Sequence, residues 1–582
     1  MADQDDPRNR GLSDEEVMRK LLTRRQVVRG GAAGAGVLGL GWLLAACGGD
    51  EEEAAPPPAA TGAAETGAAP APPPPEPEPA PAGGGEIDRV TWALTGDAPA
   101  IDYAKAYDFN TNGVVTNITE PLLRMNPEGV LEPNLAEDWE LKDPTTLVIK
   151  LRSGVQFHDG TEMTAEDVAF SMNRHRDPDL GSYLATFHDR VKSVDATGPL
   201  DVTVTFTRPD ALFPYALATM AAAVSSKAFL EANGANVGTP EVGIIGTGPY
   251  RYVSWTKGQE IVSERFDDYW NTDRPLAVKQ FVAKILLDEA TVVQALQTGE
   301  VDGIWGNNIS GKGAKAAEAF DNIAIYRGPS YGIHYLAMNT QKAPFDDKRV
   351  RQALSMAIDK AGLLASTWGG LGEAGIKSPA TPSMWTFEKE AFQAAYDALP
   401  SFDLDIEKAK ALIKEAGAEG AKGDILNSLP FDAEQAIAIQ AAAKEIGLDL
   451  TPRKVEFTQN LTEELSGEPT RAYSCTVTQW ASDIPDPAGQ LFVLFHSKNL
   501  VTNNTAYVNP KVDDLLDRQR DSIDPAERAQ LLNEAQAMIV EDQPTAIFYS
   551  PDTILVMNKR LTGYALRPLW YWDPYVADLV LA

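Results

Sequence analysis

The sequence is poor in the residues that build disulfide frameworks, basic interfaces and metal sites. It has two cysteines and five histidines in 582 residues, and the histidines show no HExxH or other metal-ligand spacing. The formal net charge of −32 argues against nucleic acid as a partner, because phosphate binding requires a basic surface. There is no GxSxG elbow, and Cys475 has no histidine placed beside it by the sequence. We therefore expect no metal, no cofactor and no catalytic nucleophile.

The beginning of the chain has the parts of an export signal, residues 1–46. A basic stretch containing Arg24 and Arg25 resembles a twin-arginine signal. The apolar run that follows is shorter than the ~20 residues of a membrane span. It ends in LAAC at Cys47, which resembles a bacterial lipobox, where cleavage before the cysteine frees a thiol to carry diacylglycerol. The alternative is an uncleaved anchor helix, and both predict a chain tethered outside the cytoplasm.

Residues 47–85 predict a linker that begins at the lipidated cysteine. After Cys47 the segment consists almost entirely of Gly, Ala, Pro, Glu and Thr, with no aromatic or branched aliphatic side chain to bury. Such a composition cannot offset the entropy of ordering the chain. Its proline-rich part, 70–81, favours an extended spacer between the membrane and the folded part of the chain.

The remainder of the chain predicts an α/β protein. Period-2 alternation indicates strands at 147–151 and 202–206. Thr164 and Asp167 have capping-box spacing at the start of a helix, and Asp346 precedes another helical pattern. Strand signals recur in at least three separated blocks. At 582 residues the chain is too long for one ordinary core, so we expect two or three domains.

Two motifs resemble catalytic signatures but favour structural roles. GNNISGKG, residues 306–313, matches a phosphate-binding loop except that Gly313 replaces the hydroxyl residue that would bind Mg²⁺. We interpret it as a loop. His158 lies in FHDG, which is typical of a turn in which each polar group serves the backbone.

The segment WASDIPDP, residues 480–487, is the strongest candidate site. It places the aromatic ring of Trp480 near two carboxylates, Asp483 and Asp486, in a proline-stiffened loop that leaves a predicted strand. Such a loop is compatible with an acid/base pair, a cation-binding cage or a solvated turn. The residues of the loop alone do not choose among these.

Six segments in consistent order resemble the family 5 extracytoplasmic solute-binding proteins, which are the dipeptide, oligopeptide and nickel receptors of ABC importers. The first, NITEPLLRMNPEGVLEPNLAEDWELKDPTTLVIKLRSGVQFHDGTEMTAEDVAFSMNR, looks like the signature region of that family. The others are IGTGPYRYVSW, FDDYW, QALQTGEVDGIW, LAMNTQKAPFDDKRVRQALSMAIDK and WASDIPDP. The resemblance spans about residues 86–582.

The resemblance implies a periplasmic-binding-protein-like fold with two hinged lobes and an extra inserted domain. Ligand is then expected in the cleft between domains I and III, and closure of the lobes buries it. The implied boundaries are 86–118, 240–305 and 545–582 for domain I, 119–239 for domain II and 306–544 for domain III.

The resemblance also implies roles for the loop residues. In peptide-binding relatives the acid three residues after this tryptophan holds the α-ammonium of the peptide, and that match falls on Asp483. Trp480 is expected to pack against the ligand or to offer a cation–π face. Asp486 is a further candidate contact, although the proline after it favours a turn-ordering role.

One feature departs from the family pattern. Dipeptide-binding members carry an arginine soon after a helix ending in KEAG, where it takes the C-terminal carboxylate of the ligand. Residues 425–431 contain no basic residue. This argues against a free dipeptide and leaves longer peptides or a cationic non-peptide solute open.

Together these features predict a monomeric, lipid-anchored receptor that binds a peptide or another amine-bearing solute and delivers it to an ABC permease. The alternatives are a tethered peptidase that uses Asp483 and Asp486 as a dyad, and a solute sensor or chaperone on the same fold. The spacing argues against the peptidase, because a dyad sharing one proton usually joins two segments of the chain.

Overall fold

A seven-stranded mixed sheet forms one layer of the molecule. The structure is a computed structural model that describes residues 85–428, 430–464, 471–500 and 502–582. The first strand is central and pairs in parallel with the strand 278–285, although 183 residues of chain separate them. In spatial order the strands are Ile323–Gly328, Thr553–Asn558, Gly303–Trp305, Ile87–Leu94, Val278–Ile285, Glu260–Arg265 and Tyr250–Thr256.

A six-stranded sheet forms the second large layer. Every residue of its middle strand 332–338 is buried, as expected for a strand covered on both faces. In spatial order the strands are Gly372–Ala374, Thr545–Pro551, Gly332–Met338, Cys475–Ala481, Lys422–Asn427 and Asp449–Lys454.

A smaller four-stranded antiparallel sheet lies in the chain between the first two strands of the seven-stranded sheet. Its order is Ala136–Asp143, Thr146–Leu151, Asp201–Phe206 and Val191–Ala196. Ion pairs join this part to the helix 510–521: Arg520 contacts Asp189 and Asp210, and Asp521 contacts Arg190. Two short pairs complete the sheets, Leu123–Met125 with Leu131–Pro133 and Leu561–Thr562 with Val580–Leu581.

Helices connect these strands, and most begin with side-chain caps. Thr164 and Asp167 form the predicted capping box. The helix predicted to follow Asp346 begins one residue later than expected, because the side chain of Asp347 accepts the cap hydrogen bond from Arg349. The α-helices are Phe109–Val115, Ala165–Arg174, Phe213–Ala216, Lys227–Asn233, Glu289–Thr298, Gly311–Ala317, Lys348–Ala357, Lys360–Trp368, Lys389–Asp397, Ile406–Ala416, Pro430–Glu445, Phe457–Glu464, Ala488–Phe495, Pro510–Asp521 and Pro525–Asp542.

The sheets differ in two strands from the predicted domain pieces. The strand 545–551, expected in domain I, pairs with strands of the six-stranded sheet. The strand 323–328, expected in domain III, pairs with 553–558 in the seven-stranded sheet. Each strand lies close to a crossing between the two sheets, where motifs alone set a boundary only approximately. The three-domain division itself remains a prediction.

The export and anchor residues Arg24, Arg25 and Cys47 lie outside the described residues, as do the signal 1–46 and nearly all of the linker. Within the described part of the chain, no helix has the length and apolar composition needed to cross a membrane.

Candidate functional site

The loop after the strand 475–481 meets both large layers of the molecule. It is ordered from within by Ser482, whose hydroxyl donates to the carbonyl of Ile484 at 2.8 Å. Pro485 lies so close to Gly129 that a Cβ at that glycine would come within 2.8 Å of the proline ring. Gly129 also has a φ of +78°, a conformation that favours glycine. The loop is therefore ordered from within and packed against a segment that is distant in sequence.

Asp483 receives its hydrogen bonds from aromatic residues of the opposite layer. Tyr107 donates its hydroxyl to Oδ2, and the hydroxyl of Tyr571 lies 3.3 Å from Oδ1. The indole of Trp572 donates to the Asp483 carbonyl at 3.2 Å. Burial raises the pKa of Asp483 to about 6, against a smaller lowering by the two hydroxyls. Among the described residues no lysine or arginine forms an ion pair with it, so this carboxylate can accept a cation.

The aromatic donors are held in place by a packed cluster, which we call the aromatic platform: Trp305, Trp570, Tyr571, Trp572 and Tyr575. Trp570 stacks on Trp305 with ring centroids 4.4 Å apart and donates its indole N–H to Asn307 at 2.9 Å. All five rings of the platform are buried. Because close packing fixes side-chain rotamers, Tyr571 and Trp572 are presented to Asp483 in one geometry.

Asp486 is fully buried and its carboxylate is already engaged. One oxygen accepts from the backbone of Ala488 at 2.8 Å, at the start of the helix 488–495, and the other pairs with Arg528 at 2.9 Å. These contacts account for a turn-ordering role. They also give Asp483 and Asp486 separate partners, which is not the arrangement of a dyad that shares a proton.

Trp480 is half-buried and lies on the strand that leads into the loop. It packs against the cluster of apolar side chains beneath the six-stranded sheet, and its indole nitrogen is buried without a hydrogen-bond partner among the described residues. Thr476, Thr478 and Trp480 share one face of this strand because successive side chains alternate. This face runs toward Asp483.

In the phosphate-loop-like segment, residues 306–313, a carboxylate of the protein occupies the hydrogen-bond donors of Ser310. Glu289 accepts from the Ser310 backbone at 2.6 Å and from the Ser310 hydroxyl at 2.9 Å, at the start of the helix 311–317. The glycines there serve packing: a Cβ at Gly311 would come within 2.1 Å of the Trp368 carbonyl, and one at Gly313 would approach Glu289. A phosphate at this position would meet the negative charge of Glu289, so the loop interpretation is favoured.

His158 and Cys475 also have structural surroundings. The His158 ring bridges the carbonyl of Gly248 at 2.9 Å and the backbone N–H of Gly246 at 3.4 Å, and burial lowers its pKa to about 4. Cys475 is fully buried and its Sγ lies 3.4 Å from the Asp424 carbonyl. Burial raises the pKa of this thiol, which makes it a poor nucleophile.

A small pocket lies beside Trp572 and is bordered by two arginines, Arg124 and Arg567. Arg124 pairs with Glu132 at 2.9 Å, and Arg567 pairs with Asp573 at 2.7 Å. Both guanidinium groups are thus neutralised by protein carboxylates. They therefore do not take the role of the arginine that is missing from 425–431, which in dipeptide-binding members binds the C-terminal carboxylate of the ligand.

The residues missed by sequence reasoning are Tyr107, Tyr571 and Trp572. The run LWYWDPY, residues 569–575, was a visible signal because so many aromatic residues are adjacent. Its contact with Asp483 joins segments separated by 88 residues in one case and 376 in the other. A sequence read in order does not reveal that contact.

Comparison with known proteins identifies the type of site. Residues 130–501 match the family model described as bacterial extracellular solute-binding proteins, family 5. The chain is 28% identical to Heme-binding protein A of Haemophilus influenzae, over 76% of this chain and 83% of that protein. It is also 28% identical to the Glutathione-binding protein GsiB of Escherichia coli K12, over 82% of this chain and 92% of that protein.

Among solved structures, the fold is similar to that of the periplasmic binding protein DppA of Helicobacter pylori in complex with the peptide STSA. The TM-score is 0.72 at 24% identity, over 85% of this chain and 98% of DppA. The expected periplasmic-binding-protein-like α/β fold is thereby confirmed. The named ligands of these relatives differ widely, so likeness alone does not identify a solute.

Proposed function

Because the chain belongs to family 5 of the bacterial extracellular solute-binding proteins, we propose that it binds a peptide or another amine-bearing solute through Asp483. Members of this family are binding proteins of ABC transporters that act outside the cytoplasm. The prediction of a non-enzymatic solute-binding protein is confirmed, and the peptidase alternative has no support. The solute, its contacts and the anchoring of the chain are the parts that we propose.

The observation that carries the proposal is the environment of Asp483. Its carboxylate is held by hydroxyl donors from the seven-stranded-sheet layer while it projects from the six-stranded-sheet layer. An ammonium group gains more from a carboxylate in a closed, poorly hydrated cleft than from one in water. Trp480 and Trp572 provide apolar surface on either side for the body of the solute.

Binding is expected to be coupled to closure of the two lobes. A solute that contacts Asp483 on one lobe and the aromatic platform on the other binds the closed form more tightly than the open form, and therefore shifts the population toward closure. The closed form is the one that we expect the permease to recognise. Asp486 and Arg528 contribute by holding the loop in position.

We further propose that the protein is a monomer anchored by lipid at Cys47 after export through the signal containing Arg24 and Arg25. The linker 47–85 then spaces the binding domains from the membrane. Metabolic labelling with a radioactive fatty acid tests the anchor: wild type is expected to be labelled and Cys47→Ala is not.

The test of the binding site compares Ala-Ala-Ala with N-acetyl-Ala-Ala-Ala, which lacks the ammonium group. In titration calorimetry the acetylated peptide is expected to bind wild type more weakly by about 2 kcal/mol or more, or ~30-fold. Asp483→Asn is expected to lose the same factor for Ala-Ala-Ala and to treat the two peptides alike.

Asp449→Asn is the matched control, because Asp449 is an exposed carboxylate of the same sheet that pairs with Lys422 at 3.5 Å. It should bind both peptides as wild type does. Unchanged affinity of Asp483→Asn for Ala-Ala-Ala would refute the assignment. Mass spectrometry of solute released by denaturing the purified protein then identifies the natural ligand.

A further inference from the structure

A second group of buried polar side chains lies at one end of the six-stranded sheet. We call it the polar edge and define it as Ser428, Asn460, Glu464 and Thr476. Each of these side chains is at least nine-tenths buried. Ser428 follows the carboxyl end of the strand 422–427, and Thr476 lies near the amino end of the neighbouring strand 475–481. Asn460 and Glu464 belong to the helix 457–464.

Glu464 is the charged member of the polar edge. Its Oε1 accepts from the Thr476 hydroxyl at 2.5 Å, and the side chains of Asn460 and Thr478 also donate to this carboxylate. The negative charge of another acid, Asp432, also raises the pKa of this carboxylate. Within the described residues, no lysine or arginine forms an ion pair with Glu464. A carboxylate that is buried in this way usually has a cationic partner.

The polar edge also has hydrogen-bonding atoms that the described residues leave unused. They are the side-chain carbonyl oxygen of Asn460 and the hydroxyl of Ser428. Most buried polar atoms in proteins are paired, and an unpaired one costs about 1–3 kcal/mol. Acceptors without donors beside a carboxylate match a ligand with several N–H groups.

The polar edge and the candidate site lie along the same face of the strand 475–481. The strands 422–427 and 475–481 are parallel neighbours with Leu426 opposite Thr476, so the carboxyl end of the first strand lies beside the first residues of the second. Ligands of α/β proteins commonly bind beyond the carboxyl ends of strands. Thr476 and Thr478 contact Glu464, and Trp480 is the next residue on the same face, about 7 Å farther along the strand. Asp483 lies in the loop that follows this strand. One face of the strand 475–481 therefore has the carboxylate of Glu464 near its beginning and that of Asp483 beyond its end.

We infer that the cleft accepts a solute with two cationic groups, one at Asp483 and the second, an ammonium or guanidinium group, at Glu464 and the unpaired oxygen of Asn460. This inference rests on the proposed function, because it takes Asp483 as the first anchor. The inference also offers a chemical reason for the absence of an arginine in 425–431. The corresponding end of this cleft is acidic, so it favours a cation where a dipeptide receptor binds a carboxylate.

The alternatives fit the residues less well. An anion would meet two carboxylates, Glu464 and Asp432. Within the described part of the chain no group of three or more His, Cys, Asp or Glu side chains is arranged to hold a metal ion. Burial raises the pKa of Glu464 to about 7, with a further contribution from Asp432, as expected for a carboxylate without a cation nearby. A cationic ligand would supply that missing charge.

The test measures selectivity for a second positive charge. Calorimetry compares Ala-Lys-Ala with Ala-Gln-Ala, and 1,5-diaminopentane with 1-aminopentane, on the full-length protein at pH 8. Wild type is expected to prefer the dicationic member of a pair by at least tenfold. Glu464→Gln is expected to abolish that preference while its affinity for Ala-Ala-Ala stays within twofold of wild type.

Glu463→Gln is the matched control, because the neighbouring Glu463 pairs with Arg453 at 2.7 Å and should leave selectivity unchanged. Circular dichroism and thermal unfolding establish that each variant is folded. If Glu464→Gln fails to fold, Glu464→Asp, which keeps the charge but withdraws it by one methylene, should show a reduced preference.

Equal binding of the two members of each pair by wild type would overturn the inference, since water would then account for the unpaired oxygens. The proposed function would still stand if Ala-Ala-Ala bound in an Asp483-dependent way. If no peptide or amine bound wild type, the first anchor at Asp483 would fail and the inference would fail with it.

Discussion

The aromatic platform and the polar edge are both buried, but they differ in whether their polar groups have hydrogen-bond and charge partners. In the platform, Trp570 is packed between rings and its indole N–H has a partner in Asn307. In the polar edge, Glu464 has hydroxyl and amide donors but no cation among the described residues, and the side-chain oxygen of Asn460 has no hydrogen-bond partner among them.

The difference indicates how the two ends of the cleft are expected to contribute to binding. A platform that is already packed presents Tyr571 and Trp572 without further ordering, so less of the binding free energy is lost to conformational entropy. At the polar edge, a hydrogen-bond donor of the ligand would pair a buried acceptor and so remove the free-energy cost of leaving it unpaired. We therefore expect the platform to contribute mainly to affinity and the polar edge mainly to selectivity among ligands.

The largest expected effect is on the platform. Trp570→Ala removes a buried ring that is 1% exposed and should lower the free energy of unfolding by about 3–5 kcal/mol, the usual cost of emptying a large buried site. Urea denaturation followed by circular dichroism measures it. Tyr183→Ala, at a ring that is 66% exposed, should change stability by less than about 0.5 kcal/mol. Similar losses for both variants would show that the platform is not a packed unit.

A somewhat smaller effect is expected at the polar edge and depends on pH. The pKa of Glu464 is raised from 4.5 to about 7 in the folded protein, so its contribution to stability is present below pH 4.5 and is lost as pH rises through 7. Relative to wild type, Glu464→Gln should therefore gain up to about 3 kcal/mol of unfolding free energy between pH 4.5 and 8. Denaturation curves at both pH values give this difference.

Glu463→Gln, the control variant at the neighbouring residue, is expected to change stability in the opposite direction. Hydrogen bonding to Arg453 lowers the pKa of Glu463, so its contribution is present above the unfolded pKa and is lost as pH falls through the folded pKa. Glu463→Gln should therefore lose stability relative to wild type at pH 8 rather than gain it. If both glutamine variants behaved alike, the proposed contrast between the two carboxylates would be wrong.

The smallest expected effect concerns affinity at the platform end of the cleft. With a pKa of about 6, Asp483 is mostly ionised at pH 7 and mostly protonated at pH 5. The affinity of wild type for Ala-Ala-Ala should therefore fall by about tenfold from pH 7 to pH 5. Calorimetry at the two pH values measures the change. In Asp483→Asn the dependence should disappear, and its persistence would assign the titration to another group.

Much of the fold could be predicted from local patterns. The capping box at Thr164 begins the predicted helix, and Gly417 ends the helix 406–416 in the left-handed conformation. Both signals involve residues within one helical turn of each other. The cap at Asp347 rather than Asp346 shows the limit of this reasoning, because two adjacent acids can each satisfy the pattern and only backbone geometry selects between them.

The site could be predicted in part. Asp483 was identifiable from the resemblance of WASDIPDP to the family, and Asp486 from the proline that follows it. The partner of Asp486, Arg528, and the hydroxyl of Tyr107 that contacts Asp483 could not be identified. These pairs have no local signature, because they depend on how separate segments of the chain pack against each other.

The sequence by itself determined the α/β class, the family resemblance and the position of the candidate loop, since these depend on periodicity, caps and contiguous motifs. Only the tertiary structure decided which side chains meet there. It joined Asp483 to hydroxyls from both ends of the described chain and placed the carboxylate of Glu289 against Ser310 in the phosphate-loop-like segment. It also buried Glu464 without an ion-pair partner among the residues that the structure describes. Burial and charge pairing are properties of contacts between distant segments, and those contacts exist only after the chain has folded.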